Sequence, residues 1–213
     1  MTERRPPAGR SAGVSPALEK NAGLRPADPS ASLRAGLPAR TPALQAIAYA
    51  LLHLPLRFLY RVEVHERTFS RPLILAANHR SRFDPFLLAA LPYSVFCQLA
   101  PIYFLTAEHY YSKLWLRPFL AILGAYPVPM RAWTMEDYFG SSLEKLRRGE
   151  TILMFPEGRR VKSRGEAKPG AAYLSRTARV AVLPIRIDRR RIAIGAPMRV
   201  ENAEEILDRI YSL

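Results

Sequence analysis

Hydrophobic and polar positions along the chain fall into short saturated runs separated by longer, helix-spaced stretches. Leu73–Ala77 (LILAA) and residues 151–155 (TILMF) are continuous apolar runs. Their length and lack of alternation suit strands buried on both faces. Ala125–Val128 and residues 102–106, 180–187 and 192–194 are further predicted strands. Between them, Asp84 followed by Pro85 predicts a helix over 85–91, with Asp84 as its N-cap. Residues 109–123 predict a helix kinked at Pro118. Thr134 with Asp137 opens another, which Gly149 ends. Gly170–Ala178 is helical, and Asn202 with Glu205 opens a C-terminal helix. Strands alternating with helices predict an α/β domain whose central sheet is mainly parallel and flanked by helices.

Two apolar stretches raise the question of a membrane. Residues 44–60 are mostly apolar, but His53, Pro55 and Arg57 lie among them. At this length they suit an amphipathic helix lying on a membrane or on the domain; a core helix fits the pattern equally well. Residues 85–107 contain no charge, yet Pro85, Pro92 and Pro101 divide them into short pieces rather than one span.

Composition changes this picture at the N-terminus. Residues 1–43 are rich in Pro, Ala, Gly, Ser and Arg and contain no aromatic residue, the composition of a disordered tail preceding a domain at 44–213. Lys and Arg total 32 against 18 Asp and Glu, a net charge of +14. Only seven of the basic and three of the acidic residues lie in the tail, so the domain itself is basic. Such charge calls for an acidic partner: nucleic acid, anionic lipid, a phosphorylated substrate or an acidic protein. The single cysteine, Cys97, excludes a disulfide framework and a cysteine-rich zinc site, and its apolar surroundings predict a packing role.

Catalytic groups in α/β folds gather beyond the carboxyl ends of strands. The first saturated run leads into Asn78-His79-Arg80-Ser81-Arg82-Phe83-Asp84. A turn here can bring the Asp84 carboxylate to one ring nitrogen of His79, leaving the other as a general base. A surface histidine beside a helix N-cap satisfies the same spacing. The second run leads into Pro156-Glu157-Gly158, with Arg159, Arg160, Lys162, Arg164 and Lys168 close behind. A tight turn explains Pro and Gly; the basic density suits a phosphate, or a solvated charged face.

Asn-His, four residues, then Asp, followed by Phe-Pro-Glu-Gly from Phe155, resembles the glycerolipid acyltransferase family, closest to its 1-acyl-glycerol-3-phosphate (lysophosphatidate) acyltransferases. The segment from Gly124 to Arg131, Val182-Leu183-Pro184-Ile185, and Lys168-Pro169-Gly170 are similar to further blocks of that family in the right order. The resemblance implies a glycerol-3-phosphate acyltransferase-like fold. It implies that His79 deprotonates an acceptor hydroxyl that attacks an acyl thioester, and that Asp84 orients His79. Asn78, Arg131, Glu157, Gly158 and Arg160 fall in blocks that would hold a glycerol phosphate, and Pro184 would shape the acyl side. The implied partners are a lysophospholipid, acyl-CoA or acyl-acyl carrier protein as co-substrate, and the cytoplasmic face of an anionic membrane, bound peripherally. No cofactor, metal or covalent intermediate is implied.

One departure stands out. Arg159 and Val161 occupy positions where the family usually carries Thr and Ser, which places the acceptor's head group in question. A catalytically silent membrane-associated relative is one alternative. A nucleic-acid-binding protein is another, although no zinc-finger spacing or RNA-recognition aromatic motif is visible and no nucleic-acid partner is expected.

Overall fold

A computed structural model describes residues 41–213 apart from 130, 131 and 133. Of the tail expected over 1–43, residues 1–40 lie outside the described residues, as does the substrate role implied for Arg131, while 41–43 belong to the first helix. The helix α1 spans Thr41–Leu59. Strands β1 (Arg61–Val64), β2 (Leu73–Ala77), β3 (Ile102–Ala107), β4 (Ala125–Val128), β5 (Thr151–Met154), β6 (Ala181–Asp188) and β7 (Arg191–Ile194) form one sheet in the order β1-β7-β6-β2-β5-β3-β4. The run from β6 to β4 is parallel. The β6–β7 pair is antiparallel and β1 is parallel to β7, so the edge strand β1 and its neighbour β7 run the opposite way.

The saturated runs are explained by layers on both faces. In β2, Leu73, Leu75 and Ala77 face a cluster with Tyr49, Leu87 and Phe96. Ile74 and Ala76 face the other cluster, with Phe139, Leu174 and Ile206. The first layer contains α1, a 3₁₀ helix at Asp84–Ala90, α2 (Tyr93–Leu99), α3 (Glu108–Tyr111) and α4 (Arg117–Ile122). The second contains α5 (Met135–Arg147), α6 (Gly170–Ala178) and α7 (Ala203–Ser212). Thr134 caps α5 by accepting from the Asp137 N–H, and Asn202 caps α7 through Glu205.

Several local readings change. Helix α1 continues through Pro55, whose ring removes a bond to the Leu51 carbonyl; Leu51 is on the solvent side, where water can take its place. The helix is amphipathic and lies on the domain. Tyr49 is buried and Leu52 and Leu56 pack on the core, while Ile47, Leu51, Leu54 and Phe58 form an exposed stripe at helical spacing. Pro118 does not kink a long helix but begins α4, where its missing N–H is harmless. Cys97 is exposed rather than packed. Helix α2 and strand β1 were not anticipated, because at seven and four residues each is too short for its period to stand out.

Pro184 stands inside β6, although proline lacks a ladder donor. Its carbonyl accepts from Gly195, just past the end of β7, so its nitrogen faces the side where the neighbouring strand has already left the ladder. Gly124 turns the chain from α4 into β4 at φ +89°, and a Cβ there would collide with the Ile102 carbonyl. Only glycine fits this approach.

Candidate active site

Strands β2 and β5 are parallel neighbours near the middle of the sheet, with β6 on the other flank of β2. Their carboxyl ends therefore deliver two loops side by side, beyond the strand ends where α/β sheets bind ligands. Asn78 is the first residue past β2 and is completely buried. Its Nδ2 donates to the Ile187 carbonyl at 2.8 Å and its Oδ1 accepts from the Ile187 N–H at 2.7 Å. The amide thus continues the pairing with β6 where the β2 backbone leaves it.

The next residue is His79. Its Nδ1 lies 2.8 Å from Asp84 Oδ2. The same oxygen accepts from the backbone N–H of Arg80 at 2.6 Å and of Ser81 at 2.8 Å. Asp84 therefore does not cap the 3₁₀ helix with its side chain; Phe83 is the N-cap, and the carboxylate folds back into the preceding turn. Three donors converge on one buried oxygen, which holds the carboxylate in place and directs the Nδ1 proton towards it. The imidazole stacks on Phe155 with centroids 4.0 Å apart and planes 18° apart. Its side chain retains 19% exposure, and no protein group among the described residues bonds Nε2. That nitrogen is free to accept a proton.

The loop after β5 is tied to this turn from below. Glu157 is 2% exposed. Its Oε2 accepts from the His79 backbone N–H at 3.0 Å; its Oε1 accepts from the Gly165 N–H at 3.0 Å and from the Tyr211 hydroxyl at 2.7 Å. The Val161 N–H returns a bond to the His79 carbonyl at 2.9 Å. Burial, with the bond to Glu157, pushes the Tyr211 hydroxyl up to about 12, so it stays a donor near neutral pH. Asn78 is thus bonded to the Ile187 backbone, and Glu157 to two backbone N–H groups and the Tyr211 hydroxyl. Gly158 is exposed at φ +66°, the left-handed region that lets the chain reverse.

The basic residues divide sharply. Arg164 bonds Glu204 at 2.9 Å and Asp208 at 2.7 Å, Lys168 bonds Glu166 at 2.7 Å, and Arg80 bonds Asp188 at 3.1 Å. Arg82, Arg159, Arg160 and Lys162 are exposed and have no ion pair among the described residues. These four, with the exposed Arg189 and Arg190 of the β6–β7 turn, are unpaired cations among the described residues at this end of the sheet.

The structure therefore brings His79, Asp84, Asn78, Glu157, Gly158 and Arg160 to one end of the sheet. Sequence reasoning missed Tyr211, which arrives from 54 residues away, and the stacking of Phe155. A tyrosine on the last helix carries no local signal for such a role.

Two comparisons with known proteins bear on the family and the fold. The family described as Acyltransferase matches residues 61–188, which include both loops. The fold is similar to the crystal structure of PlsC, the 1-acyl-sn-glycerophosphate (LPA) acyltransferase from Thermotoga maritima, with a TM-score of 0.54 and 16% identity. That similarity covers 81% of this chain and 75% of the other.

Proposed function

Because the chain belongs to the acyltransferase family, we propose that it moves a fatty acyl group from an acyl thioester to the hydroxyl of lysophosphatidate or a similar lysophospholipid. The observation that carries this reading is the half-open imidazole of His79, oriented by a buried carboxylate and unbonded at Nε2. Nε2 takes the proton of the acceptor hydroxyl as its oxygen attacks the thioester carbonyl. The tetrahedral adduct collapses, the C–S bond breaks, and the imidazolium returns the proton to the leaving thiolate. Asp84 stabilises the imidazolium between these events. Because the acceptor supplies the attacking oxygen, this scheme needs no nucleophile from the protein.

Arg159, Arg160 and Lys162 are placed to hold the acidic parts of both substrates: the acceptor's phosphate and the coenzyme A or acyl carrier protein of the donor. The extra charge of Arg159, where relatives usually carry Thr, suits an acceptor whose head group is anionic. The apolar stripe Ile47, Leu51, Leu54 and Phe58 on α1 supports peripheral attachment to the cytoplasmic face of an anionic membrane. Helix α4 packs beside α1, and exposed Leu114, Trp115 and Phe119 extend the apolar surface. Arg57 and Arg61 stand at the end of the stripe, and the Arg61 N–H bonds Arg190 in the β6–β7 turn at 2.7 Å, at the same sheet end as His79. Among the described residues no helix is long and apolar enough to cross a membrane.

The test offers an acyl-CoA, or an acyl-acyl carrier protein, and lysophosphatidate to the wild-type protein and to His79→Ala. Loss of a general base lowers turnover by about 10²–10⁴. Equal turnover in both proteins would remove His79 from the mechanism.

A further inference from the structure

Resting on the acyl-transfer reading above, we propose that Tyr211 is a positioning residue for His79, its hydroxyl acting through the buried Glu157 carboxylate to set the backbone from which the imidazole projects. Helix α7 turns one face to the loop after β5: Glu204, Asp208 and Tyr211 are spaced four and three apart, and each bonds that loop. The two acids grip Arg164, and Tyr211 reaches Glu157 directly. On the far side Ile206, Leu207 and Ile210 are buried, which fixes the helix against the domain. The Tyr211 ring is itself held, with the Arg186 guanidinium 4.4 Å from its centroid and Arg186 Nη1 donating to the Tyr211 carbonyl at 3.2 Å.

Glu157 needs three donors because it is a carboxylate almost without solvent. Gly165 and Tyr211 share Oε1, and His79 alone occupies Oε2. Removing the tyrosine hydroxyl leaves Oε1 with one partner, and the carboxylate swings towards whatever donors remain. The His79 backbone moves with it, and the Nδ1–Asp84 bond above loses its alignment. Tyr211 touches no reacting atom, so its effect belongs to turnover rather than to substrate affinity.

The experiment uses the full chain with Y211F, E157Q, the double variant and D208N, an acyl-CoA and lysophosphatidate as substrates, and ¹³C-labelled histidine to follow the His79 ring by NMR. Y211F keeps the ring, its packing and its stacking on Arg186. It should lower kcat about tenfold, the worth of one hydrogen bond to a buried charge, with both KM values within twofold and the His79 resonance displaced. In E157Q the clasp is already broken, because the amide oxygen stays with the two donors at the Oε1 position and the NH₂ is turned on the His79 N–H; adding Y211F should then change kcat less than twofold. D208N loosens α7 without touching Glu157 and should leave kcat and the His79 resonance in place. Y211H, which retains a ring donor, should recover part of the loss.

The proposal is overturned if Y211F keeps wild-type kcat and His79 resonance, if the two substitutions multiply, or if D208N reproduces Y211F. Should Y211F fail to fold, E157Q against D208N makes the same decision through the His79 resonance. If the wild type transfers no acyl group but the resonance still moves in Y211F and not in D208N, the positioning role stands and the acyl-transfer reading falls.

Discussion

Asp84→Asn isolates the charge of the pair from its shape. The amide oxygen can occupy the place of Oδ2 and still accept from His79 Nδ1, Arg80 N and Ser81 N, so the turn keeps its three bonds. What disappears is the negative charge opposite the imidazolium. With the two charge centres about 4 Å apart and an effective dielectric near 20, that attraction is worth about 4 kcal/mol. Burial of Asp84 at 2% exposure leaves little solvent to screen it. Turnover should fall about 10³-fold, since about 1.4 kcal/mol corresponds to each factor of ten. Stability should fall less. The new NH₂ replaces Oδ1, for which the described residues provide no bond, and a buried unmet donor costs about 1–3 kcal/mol. In a domain of this size that lowers the melting midpoint by about 3–10 °C. Steady-state acyl transfer at saturating substrates, read beside a thermal melt, separates the two effects. Turnover within threefold of wild type in a protein with a near-normal melt would refute charge stabilisation, and with it the reason for burying a carboxylate beside His79.

Arg160→Ala should raise KM for lysophosphatidate about tenfold with little change in kcat, because this exposed cation has no ion pair to lose among the described residues; an unchanged KM would take it out of the phosphate site. Leu54→Glu and Phe58→Glu, at side chains in residues 76% and 92% exposed, should leave the melt unchanged and weaken sedimentation with phosphatidylglycerol vesicles more than tenfold each, at about 1.5–3 kcal/mol per apolar side chain; undiminished binding would remove α1 from the membrane face. Burial pushes the Tyr111 hydroxyl from 10.0 up to about 12, so the unfolded chain loses this proton first as pH rises. Its contribution of about 2–3 kcal/mol is therefore complete below about pH 10 and is lost as pH climbs through 12. Urea midpoints at pH 8 and 11.5 should fall more steeply for wild type than for Tyr111→Phe, and parallel declines would count against the shift.

Much of the framework was legible along the chain. Leu73–Ala77, Ala125–Val128 and Gly170–Ala178 occupy the residues their patterns predict. Strands covered on both faces must be apolar throughout, and caps such as Thr134 and Asn202 act within three residues. Helix α2 and the break before α4 were less visible, because prolines and apolar residues fit several short structures until neighbours choose among them.

The His79–Asp84 pair was readable because it spans five residues of one turn, a distance that local geometry can close. The bonding partners of Asn78 and Glu157 were not. Each looks like a polar group at a strand end, open to a ligand; only sheet order brings Ile187 to the one and Tyr211 to the other. The same holds for the basic loop, where one-dimensional charge cannot tell Arg164, spent on Glu204 and Asp208, from Arg160, which has no ion pair among the described residues. Short-range sterics and solvation are written into neighbouring residues and give strands, caps and the His79–Asp84 turn. Which polar group is buried, and which charge is left for a substrate, depends on partners 40 to 109 residues away that only the packed sheet and its last helix supply.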